Sequence, residues 1–503
     1  MVSIEPSGLT LPSARDTRDS ALLDRAFTRA AGAPLVVGNR LRVLKDGAEN
    51  YPAWLEAIRH ARDRIYFENY FIVDDATGRE FAEALAERAR AGVRVRLIYD
   101  WVGSLFKAPR RFWRALTDAG VEVRCFNPFR FSAPLHTLHR DHRKMIAVDG
   151  RVGFVTGLCV GDMWNTHRAE GRDVWRDTGV EVRGPALCDI ERAFAQVWAA
   201  IGTPIPPDEL VQRESIAEEG DVSLRIVASA PGATGLFRVD QLVAAAARRS
   251  LWLTDAYFAG VPPYVQALRA AAMDGVDVRL LVPGASDIPV LRPITQAGYR
   301  PLLEAGIRVF EWKGPMLHAK TAVADGRWAR VGSSNLNVAS WIGNYELDVL
   351  IEHEATAVQM EQMFLADLEN STEIVLAPRR RRRGSLGRAA ARERRSLSGS
   401  SSGSGRGSAS RAAAGALRIG RAVGAALTEE RVLANTEARL LGLTGVVLLT
   451  LGVCIAIWPL VGAVPLAVIL IWMAVSLLIR ARALRKARRT QGLPPTRVGR
   501  AEP

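Results

Sequence analysis

The segment His142-Arg143-Lys144-Met145-Ile146-Ala147-Val148-Asp149 has the pattern H-x-K-x-x-x-x-D, and His318-Ala319-Lys320-Thr321-Ala322-Val323-Ala324-Asp325 repeats it. The chain holds 7 His, 6 Lys and 25 Asp in 503 residues. At those frequencies the pattern would arise by chance about 0.004 times. Two copies therefore imply a duplication, and a duplicated chain must fold as two like halves. Of 67 basic residues 61 are Arg, yet both copies carry Lys. A compact ammonium serves where a point charge must reach a phosphate oxygen, and Arg does not replace it there.

The surroundings of the two motifs correspond as well. Cys159, in Thr156-Gly157-Leu158-Cys159, and Asn335, in Gly332-Ser333-Ser334-Asn335, stand at the same distance after their His. Glu68-Asn69-Tyr70-Phe71 answers Asp255-Ala256-Tyr257-Phe258, and Asp177 and Glu346 each precede a strand-like run. Helix-like segments such as 80–89 alternate with β-rich runs such as 93–98, which predicts an α/β fold. The unit is about 150 residues long, one domain's worth and too long for a solenoid repeat. The expected layout is a mobile arm over 1–37, a first repeat over 38–201, a linker over 202–221 and a second repeat over 222–376. After these come a basic Ser/Gly-rich linker and amphipathic segment over 377–438, an apolar region over 439–480 and a basic tail over 481–503.

Charge divides the chain. Residues 376–503 carry 23 Lys and Arg against 5 Glu, so a chain of net +14 has a body of about −4. A nucleic-acid enzyme is expected to place its positive surface on the body, where phosphates are gripped, so no nucleic-acid partner is expected. Leu440 to Ile479 contains no charged residue. That run is too long for one span and suits two, at about Leu440–Trp458 and Gly462–Ile479, with a turn bracketed by Pro459 and Pro465. Arg and Lys on both flanks put both ends on the cytoplasmic side and attract anionic lipid. A re-entrant hairpin and a buried helical pair are the alternatives. Cys125, Cys159, Cys188 and Cys454 form neither a zinc pattern nor a disulfide framework. The N-terminal residues show no basic region followed by an apolar stretch, so no signal peptide is expected.

Two His and two Lys supply what phosphodiester exchange requires. A neutral imidazole attacks phosphorus, a protonated one donates to the leaving oxygen, and the ammoniums neutralise the non-bridging oxygens. No cofactor and no metal is expected. His136 and His139, which crowd near His142, are read as a loop at the site mouth, with a metal pair as the alternative. Phe126, Phe129 and Phe131 either dip into lipid or pack in the core.

These paired motifs resemble those of the phospholipase D superfamily. The run Trp175-Arg176-Asp177-Thr178, the His142-Arg143-Lys144 step and Gly332-Ser333-Ser334-Asn335 resemble its bacterial cardiolipin synthase branch. The resemblance implies two tandem α/β repeats packed as a pseudo-dimer, to which the chain adds a C-terminal two-helix transmembrane hairpin. It assigns His142, Lys144, Asp149, His318, Lys320 and Asp325 to the catalytic motifs, with His142 attacking, His318 the general acid and both Asp structural. Asn335, Ser333, Glu346 and, as a weaker counterpart, Asp177 are expected to contact phosphate or orient a His. Cys159 departs from the family's Asn. The implied activity is transfer of a phosphatidyl group between phosphatidylglycerol molecules, at the bacterial inner membrane with the body in the cytoplasm. Hydrolysis of phospholipid, nuclease action and a non-catalytic membrane scaffold are the alternatives.

Overall fold

The computed structural model describes residues 14–130, 138–166, 174–288 and 291–376, together with Arg431–Val432, Ile471, Trp472 and Ala474. Apart from the last three residues, the expected spans lie outside these limits. No helix among the described residues is long and apolar enough to cross a membrane.

After helix α1 (Ala14–Ala31), the first half runs β1 (Val36–Lys45), α2 (Asp46–Arg59), β2 (Arg64–Asn69), α3 (Ala76–Arg90), β3 (Arg94–Asp100), α4 (Arg110–Asp118), β4 (Glu122–Phe126), β5 (Met145–Val148), β6 (Val152–Thr156), β7 (Thr178–Arg183) and α5 (Leu187–Ala200). The second half runs β8 (Val222–Ser229), α6 (Gly235–Ala246), β9 (Ser250–Thr254), α7 (Pro262–Met273), β10 (Asp277–Pro283), α8 (Leu291–Ala297), α9 (Tyr299–Glu304), β11 (Arg308–Trp312), β12 (Thr321–Ala324), β13 (Trp328–Gly332), β14 (Glu346–Glu352), α10 (Glu354–Glu369) and β15 (Ser371–Val375).

One sheet passes through both halves, in the order β4-β3-β2-β5-β6-β7-β1 and then β8-β14-β13-β12-β9-β10-β11-β15, with a two-residue strand at Arg431–Val432 on the outer edge. The two orders mirror one another about the β1–β8 seam. That seam is antiparallel, with Val36 opposite Leu224 and Asn39 opposite Val222. In each half three strands beyond the motif hairpin are parallel and joined through helices, β2-β3-β4 and β9-β10-β11, with β15 antiparallel outside β11, whereas the motif strands form an antiparallel meander. Every residue of β5, β6, β12 and β13 is buried. Helices cover both faces of the sheet there, which is why these strands are mostly apolar instead of alternating; the one charged residue among them, Arg330, pairs with Asp240.

Both motif hairpins turn on their Asp. Asp149 and Gly150 have φ of 53° and 62°, and Asp325 and Gly326 have 54° and 64°. Two successive positive φ values make the tight hairpin turn that Asp-Gly favours. Each Asp carboxylate then accepts three backbone N–H groups: Arg62, Asp63 and Arg64 for Asp149, and Arg248, Arg249 and Ser250 for Asp325. A four-residue strand separates each Asp from its Lys, so both carboxylates lie roughly 13 Å from the Lys end of the hairpin. They staple the hairpins and stand apart from the His-Lys end of each motif.

The expected mobile arm is corrected too. Residues 14–31 form a helix, and its Phe27, 6% exposed, packs into the core of the second half with Val239, Val243 and Leu251. Asp24 on the same helix pairs with buried Arg225. The weak apolar periodicity hid one anchoring ring. A separate core, built from α5, α10 and strands of both halves, includes Val182, Phe194, Leu224, Val349 and Met360. The halves are thereby fused over a buried apolar seam.

Candidate active site

The seam brings the two motifs together through backbone pairing. Asp141 bridges Tyr345 in parallel register, and Arg176 bridges Leu317. The His142 N–H donates to Tyr345 O at 2.9 Å, and the His318 N–H donates to Arg176 O at 2.7 Å. Each His is thus laid beside the acid-bearing strand of the opposite half. Nδ1 of His142 meets Glu346 Oε2 at 2.9 Å, and Nδ1 of His318 meets Asp177 Oδ2 at 2.8 Å. The pairing is crossed and near-symmetric, and Asp177 is the equal of Glu346, not its weaker counterpart. Both carboxylates are fully buried, while the His142 and His318 side chains are 12% and 6% exposed. An Nδ1 held by a carboxylate fixes the ring and leaves Nε2 for chemistry. Among the described residues neither Nε2 has a hydrogen-bond partner.

Buried arginines brace the pairing segments. Arg143 donates to Glu346 O at 3.0 Å, to Ser229 O at 2.8 Å and to Gln196 Oε1 at 2.8 Å. Arg176 forms a two-pronged pair with Asp367 of α10, at 3.0 and 2.8 Å. Removing one partner of such a buried pair costs about 3–5 kcal/mol.

Lys144 Nζ donates to His142 O and lies 5.2 Å from the Tyr70 ring; Lys320 Nζ donates to His318 O and lies 5.7 Å from that of Tyr257. The same two tyrosines set their edges against the two His, at 5.0 and 5.8 Å between ring centroids. Burial, opposed by Glu346 and helped by Lys144 and Lys320, holds His142 below its ordinary value. Burial and then Lys320 push His318 down to about 4, against the pull of Asp177. Lys320 itself is lowered by burial, with Lys144 adding to the effect, to about 8. Burial alone would raise both carboxyls, yet pairing with His142 and the Lys144 charge hold Glu346, and pairing with His318 and the Lys320 charge hold Asp177, below their usual range. The groups of the two halves act on one another, so they make one site. Its resting form sets two ionised carboxylates and two lysine ammoniums around neutral imidazoles, and the ammoniums suit the non-bridging oxygens of a phosphodiester anion.

The supporting residues differ between halves. Glu346 also accepts from Ser333 Oγ at 2.6 Å and Asn344 Nδ2 at 3.2 Å. At the position matching Ser333 stands Gly157, and a Cβ there would meet Asp177 Oδ1 at 2.1 Å. Trp164 Nε1 donates to Asp177 instead, at 3.3 Å. Asn335 is 4% exposed, and its buried Oδ1 has no hydrogen-bond partner among the described residues. Its counterpart Cys159 is 1% exposed, with burial raising its thiol and its carbonyl accepting from Tyr51 Oη at 2.7 Å. Behind the first motif, burial and then Asp141 raise Glu68 well above the carboxylate range, and Asp141 itself is raised by burial to about 7.

The sequence reading missed Trp164, Asn344 and Asp367, and, although it matched Glu68 with Asp255, it missed the pairing of Glu68 with Asp141. Only the fold brings these groups near. His139 is occupied at Nδ1 by Gly343 O at 2.9 Å. No group of three metal-ligating side chains occurs among the described residues, outside which His136 and Phe131 fall. Phe126 is 3% exposed and packs on Tyr345, which is the core-packing alternative, whereas Phe129 is 39% exposed.

Comparison with known proteins gives three findings. The model of a family described as cardiolipin synthase, PLD-like domain, matches residues 54–198 and 242–368. The chain is 32% identical over 361 residues to a cardiolipin synthase of Halalkalibacterium halodurans, across 70% of this chain and 71% of that one. It is 33% identical over 381 residues to cardiolipin synthase A of Pseudomonas fluorescens, across 73% and 77% of the two chains. In fold alone it is similar to the crystal structure of a phosphatidylserine synthase of Haemophilus influenzae, with a TM-score of 0.55 at 16% identity, over 70% of this chain and 91% of that one.

Proposed function

The chain belongs to the cardiolipin synthase family of phospholipase D-like proteins and is a phosphatidyltransferase of that superfamily; from this premise we propose that it makes cardiolipin from two phosphatidylglycerol molecules through a phosphohistidine. Nε2 of His142 attacks phosphorus, and the P–O bond to the head-group glycerol breaks. That alkoxide takes a proton from His318 and leaves as glycerol. The glycerol hydroxyl of a second phosphatidylglycerol then gives its proton to His318, attacks phosphorus and breaks the P–N bond. Lys144, Lys320 and the Asn335 amide neutralise and hydrogen-bond the non-bridging oxygens. The observation that carries this reading is the crossed pairing, which gives each half an oriented imidazole with Nε2 available. Both imidazoles are neutral in the resting site, and an arriving phosphate anion favours the protonated form of whichever faces the leaving oxygen.

The push of burial and Lys320 on His318, down to about 4, favours a reverse division, in which His318 attacks and His142 carries the proton. Acid quench with labelled lipid followed by peptide mapping separates the two. Label on His142 supports the first division and label on His318 the second. With phosphatidylglycerol as sole lipid, cardiolipin and glycerol should accumulate together; phosphatidic acid as main product would replace the transferase by a hydrolase. The apolar run 439–480 supports anchoring in the inner membrane as a two-span hairpin with the body cytoplasmic. Removal of 377–503 should then release the body from membranes after a high-salt wash.

A further inference from the structure

We propose that the loops around the site mouth form a docking rim that seats the mouth on an anionic bilayer, with Phe106 as the inserted side chain. The inference rests on the phosphatidyltransferase reading of the same site.

Phe106 is 99% exposed and has a φ of 62°. A bulky residue in the left-handed region is strained, and such strain persists only where the surroundings impose it. They do so here. Asp100 Oδ1 accepts the N–H groups of Val102 and Gly103 at 2.8 and 3.0 Å, and Ser104 O accepts from Lys107 N at 3.0 Å. The other oxygen of Asp100 accepts the N–H of Asp141, the residue before His142, at 3.0 Å. The loop is therefore fixed to the motif, and it holds a phenyl ring in solvent where no contact among the described residues rewards the strain.

The neighbouring loops repeat the exposure. Leu105 is 40% exposed, Phe129 39%, Leu138 68%, Ile342 46% and Ile288 40%. Each sits on a segment tied to the site. Phe129 stacks on Trp101 at 5.8 Å. Leu138 and Ile342 flank the His139–Gly343 contact. Ile288 follows Asp287, which accepts from Tyr257 Oη at 2.7 Å. Apolar side chains gathered about one opening from both halves mark an interaction surface.

Charge selects the occupant. The body carries a net negative charge, yet residues 101–114 contain Lys107, Arg110, Arg111 and Arg114 and no Asp or Glu. Arg130 and Arg140 flank Phe129 and Leu138. Basic residues interleaved with exposed apolar ones fit a surface that is apolar within and anionic outside, namely a bilayer rich in acidic phospholipid.

The test uses the full-length protein, with Cys125→Ser and Cys454→Ser so that the added thiol alone is labelled, carrying a fluorophore on Phe106→Cys, and on Met273→Cys as control; Cys159 and Cys188 are buried. Met273 is 68% exposed at the end of α7. On adding phosphatidylglycerol vesicles, the label at position 106 should shift to the blue and be quenched by brominated acyl chains, while that at 273 should not. Phosphatidylcholine vesicles should give a smaller effect. In parallel, Leu105→Ser/Phe106→Ser should lower kcat/KM on vesicles at least tenfold and leave a monomeric short-chain phosphatidylglycerol within twofold. Absence of the shift, equal shifts at 106 and 273, or equal losses on both substrates would overturn the rim. Transfer from neither substrate by the unmodified enzyme would instead overturn the transferase reading, while the label still reports docking.

Discussion

The crossed pairing can be measured as a coupling energy. The perturbations are Glu346→Gln, Asp177→Asn, His142→Gln and His318→Gln, singly and in the four His–acid combinations. Each crossed bond joins an imidazole N–H to an ionised carboxylate, at 2.9 and 2.8 Å, with acids fully buried and imidazoles at most 12% exposed. Solvent screening there is slight. Hydrogen bonds to charged groups contribute about 1.5–3 kcal/mol. Urea unfolding of the full-length protein in mild detergent should therefore give coupling of about 2 kcal/mol for His142–Glu346 and for His318–Asp177. The same-half pairs, His142–Asp177 and His318–Glu346, share no bond and should couple by less than about 0.5 kcal/mol. Each acid substitution should also lower kcat about 30-fold, the rate equivalent of about 2 kcal/mol, by loosening an attacking or donating ring. Larger coupling within halves than across them would refute the argument, because it would mean that each motif builds its own pair.

Further outcomes follow from the same site. His318→Ala and His142→Ala should each abolish turnover, read by radiolabelled lipid transfer, while circular dichroism stays native; EDTA should leave the unmodified enzyme active, because Lys144 and Lys320 already supply the positive charge. Folded His318 titrates near 4 and an unfolded His near 6.5, so between those values the unfolded chain binds more protons and stability rises with pH. The gain from pH 4 to 6.5 is about 3 kcal/mol by denaturant midpoint, and His318→Gln should flatten it. Gly157→Ser should cost over 100-fold in kcat because its Cβ would displace the Asp177 carboxylate, whereas Ser333→Gly should cost about tenfold, the loss of one hydrogen bond to Glu346.

By itself the sequence determined the duplication, the α/β class and the two His-Lys motifs, because those properties are local. Apolar runs mark buried strands, the repeated spacing marks the motif copies, and residue type fixes the available chemistry. The acids Glu346 and Asp177 were legible as candidates, but their partners were not. Spacing along the chain ties Glu346 to His318, while the antiparallel seam carries it to His142. The tertiary structure alone decided that crossing. It also decided that Gly157 stands where Ser333 does because Asp177 crowds it, and that Trp164 supplies the replacement donor. Residues 14–31 looked like an arm because a single buried ring, Phe27, secures them. In each case the deciding contact joins residues far apart in sequence, and periodicity and motif spacing carry no information about such pairs until the chain has closed on itself.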